Sequence, residues 1–230
     1  MSLKENPHPS DARSTAPGPR GAPEPAGLPP LVVGVTGGIA SGKSAIARLF
    51  EAAGFVRLDA DAVAREATDL PEVRAALRQR FGNLVPTLPH PLDRKALADV
   101  AFQDTEARAD LDALTHPAIR GRLLEGLAEA RAAGRPVVLD VPLLLEGGLV
   151  AHCDAVVFVD TPDAARLARA AERGWSEGEL ARRESAQLPL PVKRSRATAT
   201  IDNSSTLSQA AQQVERLLRS WSRVRPAAPA

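Results

Sequence analysis

Eight consecutive residues have the types and spacing of a phosphate-binding loop: Gly37, Gly38, Ile39, Ala40, Ser41, Gly42, Lys43 and Ser44. The glycines allow backbone conformations that other residues avoid, so that several amide groups can converge on phosphate oxygens. Lys43 would supply a point charge to the β- and γ-phosphates, and the Ser44 hydroxyl would bind Mg²⁺. The pattern predicts a nucleoside triphosphate site with contacts from residues 38–45, ending at Ala45 in the following helix.

Two carboxylates, Asp59 and Asp61, follow a short apolar segment that predicts a second strand. At the end of that strand a carboxylate would face the phosphate loop, where it could accept a proton from an attacking hydroxyl or help to hold Mg²⁺. Helix capping is an equally good interpretation, because Asp61 precedes an alanine-rich helical stretch. The spacing leaves catalysis and capping open.

Two further carboxylates, Asp140 and Asp160, each end a run of apolar residues. P-loop proteins place a metal-directed carboxylate in this way, at the end of a buried strand. Both residues match the pattern equally well, so each is a candidate Mg²⁺ ligand.

Basic residues accumulate between positions 166 and 196: Arg166, Arg169, Arg173, Arg182, Arg183, Lys193, Arg194 and Arg196. Arg169 and Arg173 are four residues apart and share one face of a predicted helix. Guanidinium groups stabilise the charge that phosphoryl transfer develops on the equatorial oxygens. A solvated helix face is the alternative, because four glutamates in the same stretch are available as partners.

Short apolar runs alternate with longer amphipathic stretches, which predicts a three-layer α/β fold with a parallel sheet between helices. Strands are predicted over residues 31–35, 55–58, 137–141, 155–159 and 199–201. Helices are predicted over residues 43–53, 117–133, 162–172, 176–187 and 206–221. The ligands of such a sheet bind beyond the carboxyl ends of its strands, where the loop and the carboxylates lie.

The region between the second and third strands carries helical patterns and no strand pattern. About residues 62–133 are therefore interpreted as an inserted helical subdomain, and about 166–196 as a lid, within one domain over 31–225. His116 precedes Pro117 at a predicted helix start, where capping or packing is its simplest role. The proline-rich residues 1–30 and the tail 226–230 are predicted to be disordered, because they cannot bury enough apolar surface.

Composition excludes several classes of protein. The formal net charge of +1 gives no case for a generally basic nucleic-acid binder. The single cysteine, Cys153, excludes an internal disulfide framework and agrees with a cytoplasmic location. The sequence contains no apolar run of about 18 or more residues, so no membrane span is predicted.

Several segments together resemble the dephospho-CoA kinase family. The matching segments are residues 35–44, 58–65, 115–117, 140–146 and 201–203. The resemblance extends over about residues 31–221. It implies a P-loop kinase-like fold and the last step of CoA biosynthesis, in which ATP, with Mg²⁺, phosphorylates the ribose 3′-hydroxyl of dephospho-CoA to give CoA and ADP.

The resemblance also implies residue roles. Asp61 would be the general base, Arg169 and Arg173 the lid arginines, and Asn203 would lie near the adenine. Ser44 and Asp140 would hold the metal. The acceptor would contact Asp61 and four further residues: Arg65, His116, Leu144 and Glu146. Ala40 and Gly174-Trp175 depart from the family pattern, which has glycine and an acidic residue there.

Two other functions fit the phosphate loop. A kinase for another nucleoside or metabolite is disfavoured by the segments that follow the second and third strands. A nucleotide-dependent switch of the GTPase type is disfavoured because the sequence has no Asn-Lys-x-Asp guanine signature. The oligomeric state is not predicted.

Overall fold

A computed structural model describes residues 31–224, and these residues contain a five-stranded parallel sheet. Its strands are β1 (Val32–Gly37), β2 (Val56–Asp59), β3 (Val137–Asp140), β4 (Ala155–Asp160) and β5 (Ala199–Asp202). Their spatial order is β2-β3-β1-β4-β5. The α/β fold class and the five strands are confirmed, whereas the predicted extension 1–30 and tail 226–230 lie outside the described residues.

Nine α-helices lie within residues 31–224. They are α1 (Lys43–Ala52), α2 (Ala60–Ala67), α3 (Pro71–Phe81), α4 (Arg94–Gln103), α5 (Thr105–Ala132), α6 (Asp163–Glu172), α7 (Glu177–Ser185), α8 (Leu190–Ser195) and α9 (Leu207–Val224). Short 3₁₀ turns occupy Gly82–Leu84 and Leu149–His152. Ser176 caps α7, because its hydroxyl accepts a hydrogen bond from the Glu179 amide at 3.1 Å.

The predicted start of helix α5 at Pro117 is wrong. The helix begins at Thr105, where the Asp104 carboxylate accepts a hydrogen bond from the Glu106 amide at 2.9 Å. Pro117 lies inside the helix, so His116 is not at a helix terminus. Its side chain is exposed, and its Nε2 lies 3.5 Å from the Asp112 carboxylate.

The two faces of the sheet bury separate cores. On one face, α1 and α9 pack through Ile46, Phe50 and Val214, and the Trp221 ring stacks on Phe50 with centroids 6.4 Å apart. On the other face, Leu123 of α5 packs against the sheet. Burying each such side chain stabilises the fold by about 1.5–3 kcal/mol. Trp221 is therefore a packing residue.

The helical insertion between β2 and β3 has a core of its own. The first half of α5 packs against Leu77 of α3, Leu97 of α4 and Val85, which lies in the connection between these two helices. The second half of α5 packs on the sheet, so one long helix joins the insertion to the nucleotide-binding layers. The division of the chain into an inserted subdomain over about 62–133 stays a prediction.

Candidate nucleotide and phosphoryl-transfer site

The phosphate loop runs from the end of β1 to the first turn of α1. Gly42 caps α1 with a φ of 90°, a left-handed conformation that favours glycine, and a Cβ there would lie 2.4 Å from Asn203 Nδ2. Ala40 adopts a φ of 59° although it carries a side chain. Its methyl group is buried against Ala170 and Leu180, so the lid helices α6 and α7 hold the loop at this point.

The carbonyl oxygen of Ser41 ties the loop to three neighbouring segments. It accepts hydrogen bonds from Thr161 Oγ1 at 2.8 Å, Asn203 Nδ2 at 2.7 Å and Arg169 at 3.3 Å. These donors lie after β4, after β5 and in α6. The loop is therefore fixed before any nucleotide arrives, which reduces the ordering that binding requires.

Lys43 is the lysine of the loop, and its side chain is half-buried. Its Nζ donates hydrogen bonds to the carbonyl oxygens of Gly38 at 2.8 Å and Gly37 at 3.4 Å. Burial and, to a smaller extent, the charge of Lys193 together lower the pKa of Lys43 to about 8, against the opposing effect of Asp140. The site carries more positive than negative charge around this amine, which suits a polyphosphate.

The lowered pKa of Lys43 predicts a pH-dependent affinity for ATP. An anion beside the amine favours its protonated form, so binding takes up a proton when the free amine is neutral. Above pH 8 the ATP affinity should fall by up to about tenfold per pH unit. Calorimetric titration of the protein with ATP from pH 7 to pH 9.5 measures this slope. Lys43→Arg should remove it, and a flat profile in the parent protein would contradict the pKa.

Asp59, rather than Asp61, caps helix α2. Its Oδ1 accepts hydrogen bonds from the backbone amides of Asp61 at 2.9 Å and Ala62 at 3.3 Å, and its Oδ2 accepts one from Arg57 at 2.7 Å. The capping interpretation of Asp61 is therefore wrong. Asp61 lies in the first turn of α2 with an exposed side chain that accepts no hydrogen bond from residues 31–224.

Asp140 is the carboxylate beside the phosphate loop. It is 6% exposed, and its Oδ1 accepts a hydrogen bond from Ser44 Oγ at 3.3 Å. Asp160, the other candidate, instead pairs with Arg194 at 2.5 Å. Only Asp140 of the two lies beside Ser44, as the family resemblance implies.

The hydroxyl and carboxylate oxygens of Ser44 and Asp140 fit Mg²⁺. This ion takes one or two protein oxygens and completes its shell with water and substrate phosphates. No group of three or more metal-binding His, Cys, Asp or Glu side chains occurs in the described part of the chain. A kinase metal needs no such cluster, so the donor pair is sufficient.

The lid arginines differ in their surroundings. Arg166 is buried and binds Asp163 and Glu184, and it reaches the Ile39 carbonyl at 3.4 Å. Arg169 donates to the Ala40, Ser41 and Asn203 carbonyl oxygens at 3.3–3.4 Å. A solvated helix face is therefore wrong for these two arginines.

The other lid arginines lie farther out. Arg182 and Arg183 are exposed and pair with Glu179, so the solvated interpretation holds for them. Arg173 ends α6 with its guanidinium 5.8 Å from the Trp175 ring. The charge of Arg173 also lowers the pKa of Lys43, although less than burial and Lys193 do.

The residues assigned to the acceptor are spread over several elements. Arg65 is exposed on α2, and His116 is exposed on α5. The side chain of Leu144 is 1% exposed and packs in the core, so any acceptor contact would come from its backbone. The described contacts do not bring these three residues together, and their roles stay predictions.

Glu146 is held by the chain itself. Its Oε1 accepts a hydrogen bond from the Leu188 amide at 3.0 Å and forms an ion pair with Lys193 at 3.2 Å. Burial alone would raise the pKa of Glu146, but the Leu188 hydrogen bond and the Lys193 charge outweigh it and lower that pKa. Glu146 thus connects the segment after β3 to residues 188–193 at the end of the predicted lid region. Its contact with the acceptor stays a prediction.

Sequence reasoning misses two residues of this site. Arg57 binds Asp59 and Asp140, and Thr161 holds the phosphate loop. Arg57 leaves one signal, since an arginine inside a short strand shares a face with the carboxylate two positions later. Thr161 leaves none, because its partner Ser41 lies 120 residues away in the sequence. Lys193 belongs to the predicted basic cluster, and the structure adds that it is buried beside Gln187.

The sheet order, the loop between β1 and α1 and the carboxylate beside it define a P-loop phosphotransferase. A family model described as dephospho-CoA kinase matches residues 31–209. The chain belongs to the dephospho-CoA kinase family.

Individual relatives agree with this membership. Dephospho-CoA kinase from Bacillus licheniformis is 39% identical over 84% of this chain and 98% of its own length. The crystal structure of TT1252 from Thermus thermophilus is 35% identical, with a TM-score of 0.67 over 84% of this chain and 98% of its own. Dephospho-CoA kinase from Campylobacter jejuni is 26% identical, with a TM-score of 0.64 over 84% of this chain and 97% of its own. Among residues 31–224, the helices are too short or too polar to cross a membrane.

Proposed function

We propose that this chain transfers the γ-phosphoryl group of ATP to the ribose 3′-hydroxyl of dephospho-CoA, giving CoA and ADP. Family membership supports the choice of acceptor. The observation that carries the mechanism is the difference among the three carboxylates. Arg57 binds Asp59 and Asp140, whereas Asp61 is exposed. The cytoplasm is the proposed location, in agreement with the single cysteine.

The nucleotide half of the site would be the phosphate loop with its supports. Backbone amides of residues 38–45 and the Lys43 amine would bind the phosphates, and Ser44 and Asp140 would hold Mg²⁺. When bound, the ion neutralises charge on the β- and γ-phosphate oxygens. Asn203 would support the phosphate loop that binds the nucleotide, because its side chain donates a hydrogen bond to the Ser41 carbonyl oxygen.

The transfer step would use Asp61 as the general base. The 3′-hydroxyl proton passes to the Asp61 carboxylate as the oxygen bonds to the γ-phosphorus. The bond from that phosphorus to the β–γ bridging oxygen breaks, and ADP leaves. Arg169 or Arg173 would stabilise the charge on the equatorial oxygens.

An acceptor panel tests the proposed function. The purified full chain is mixed with ATP or GTP and Mg²⁺, and with dephospho-CoA, single nucleosides or no acceptor. Mass spectrometry of the product and the rate of ADP formation report transfer. CoA formation with ATP is expected. Turnover of another acceptor without turnover of dephospho-CoA would overturn the proposal.

Replacing Arg169 by lysine tests the planar guanidinium. Lysine keeps the charge but loses the fork that reaches the Ala40, Ser41 and Asn203 carbonyl oxygens. We expect kcat/KM for ATP to fall about tenfold, which corresponds to the loss of a hydrogen bond or two. Arg182→Lys, on the exposed side of the lid, is the matched control and should keep the parent kinetics. Equal kinetics for both variants would remove Arg169 from the site.

A further inference from the structure

Arg57 lies between two carboxylates at the edge of the proposed metal site. Its side chain is 12% exposed. It donates to Asp140 Oδ2 from Nε at 3.2 Å and from a terminal nitrogen at 2.6 Å, and that same nitrogen donates to Asp59 Oδ2 at 2.7 Å. The strand register sets Asp59 directly opposite Asp140. Without a cation between them, these two carboxylates would repel each other.

We propose that Arg57 is a positioning residue for phosphoryl transfer, which binds one oxygen each of Asp59 and Asp140 and leaves Asp140 Oδ1 to the metal. The inference rests on the proposed function, because it assigns the metal to Ser44 and Asp140. It adds a residue that touches neither nucleotide nor acceptor and acts through the carboxylates.

The geometry at Asp140 gives the first reason. Two donors of the Arg57 guanidinium converge on Asp140 Oδ2. The carboxylate therefore cannot rotate, or bind a metal through both oxygens, without breaking these hydrogen bonds. The remaining oxygen, Oδ1, is the one within reach of Ser44 Oγ. Mg²⁺ demands near-octahedral geometry, which a carboxylate with one oxygen held by Arg57 satisfies better than a mobile one.

The geometry at Asp59 gives the second reason. Arg57 takes Oδ2, and the amides of Asp61 and Ala62 in the first turn of α2 take Oδ1, so both oxygens of Asp59 have partners. Asp59 therefore does not compete with Asp61 for the acceptor hydroxyl. The same contacts fix the first turn of α2, which carries Asp61.

Binding of ATP without an acceptor tests the inference. Calorimetry measures the ATP affinity of Arg57→Met and Arg57→Lys over a range of Mg²⁺ concentrations and in chelator. Loss of groups that orient metal ligands weakens metal binding about 10- to 100-fold. In Arg57→Met, the Mg²⁺ concentration that gives half of the Mg²⁺-dependent gain in ATP affinity should rise by that factor. The ATP affinity measured in chelator should change little. Arg57→Lys keeps a single donor group, so its half-maximal Mg²⁺ concentration should lie between those of Arg57→Met and the parent.

A purely structural role predicts a different result. Arg74 is also a buried, ion-paired arginine, but it lies in the helical insertion, so Arg74→Met controls for lost stability alone. An unchanged Mg²⁺ dependence in both Arg57 variants would overturn the inference. In an Asp140→Asn background, Arg57→Met should have little further effect, and a full additional effect would also overturn it. Failure of Mg²⁺ to tighten ATP binding in the parent protein would instead overturn the proposed function.

Discussion

Replacing Asp61 by asparagine lowers the turnover number about 10²- to 10⁴-fold, the range for loss of a general base, and leaves the affinity for ATP near that of the parent. The physical reason lies in the hydrogen bonds of the neighbouring carboxylates. Asp59 is bound by Arg57 and by helix α2, and Asp140 is bound by Arg57 and Ser44. Asp61 is the exposed member of the three, and asparagine in its place cannot accept the proton.

Steady-state kinetics and ATP calorimetry on the same samples check this result. Glu66→Gln is the matched control, because Glu66 is an exposed carboxylate on the same helix. It should leave both quantities unchanged. A turnover number near the parent value in Asp61→Asn would exclude Asp61 as the base and return the role to a residue outside α2.

The features that the sequence predicts well are local. The phosphate loop needs only consecutive residues, and the strand before it and the helix after it are visible in the same stretch. Strand β1 is a continuous apolar run because both of its faces are buried. Such signals survive folding because each depends on neighbours that are already adjacent along the chain.

The features that the sequence misses depend on contacts between distant residues. The bond from Arg57 to Asp140 joins positions 83 residues apart, and the bond from Thr161 to Ser41 joins positions 120 apart. No spacing rule reports such pairs. Which of the two candidate metal carboxylates faces Ser44 likewise depends on tertiary packing, because β3 and β4 both border β1 and helix α1, which carries Ser44, packs beside β3.

Helix boundaries fail for a third reason. Pro117 predicts a helix start because proline suits a first turn. Asp104 supplies the observed cap thirteen positions earlier, and the helix passes through the proline. At α2 the same competition moves the cap by two residues, from Asp61 to Asp59. That small shift matters, because it leaves Asp61 for chemistry.

Replacing Lys43 by methionine should lower kcat/KM for ATP by about 10²- to 10³-fold, the usual loss when one fixed donor to a developing charge is removed. The ammonium group is buried in the loop and bonded to the Gly37 and Gly38 carbonyl oxygens until phosphate replaces them. Methionine matches its length without its charge. Lys95→Met, at an exposed position in the helical insertion, is the control and should keep the parent kinetics.

Stability measurements separate a lost charge from a damaged fold in the Lys43 variant. Folding lowers the pKa of Lys43 from 10.5 to about 8, so the buried charge opposes folding at neutral pH. In the parent, the unfolded chain binds more protons between pH 8 and 10.5, and stability should therefore rise with pH across this window. Lys43→Met should lack this rise, and it should gain far less from ATP in thermal unfolding, since stabilisation follows affinity. A variant that loses stability without ATP and keeps the rise with pH would contradict the lowered pKa of Lys43 and its role as the cation that binds the phosphates.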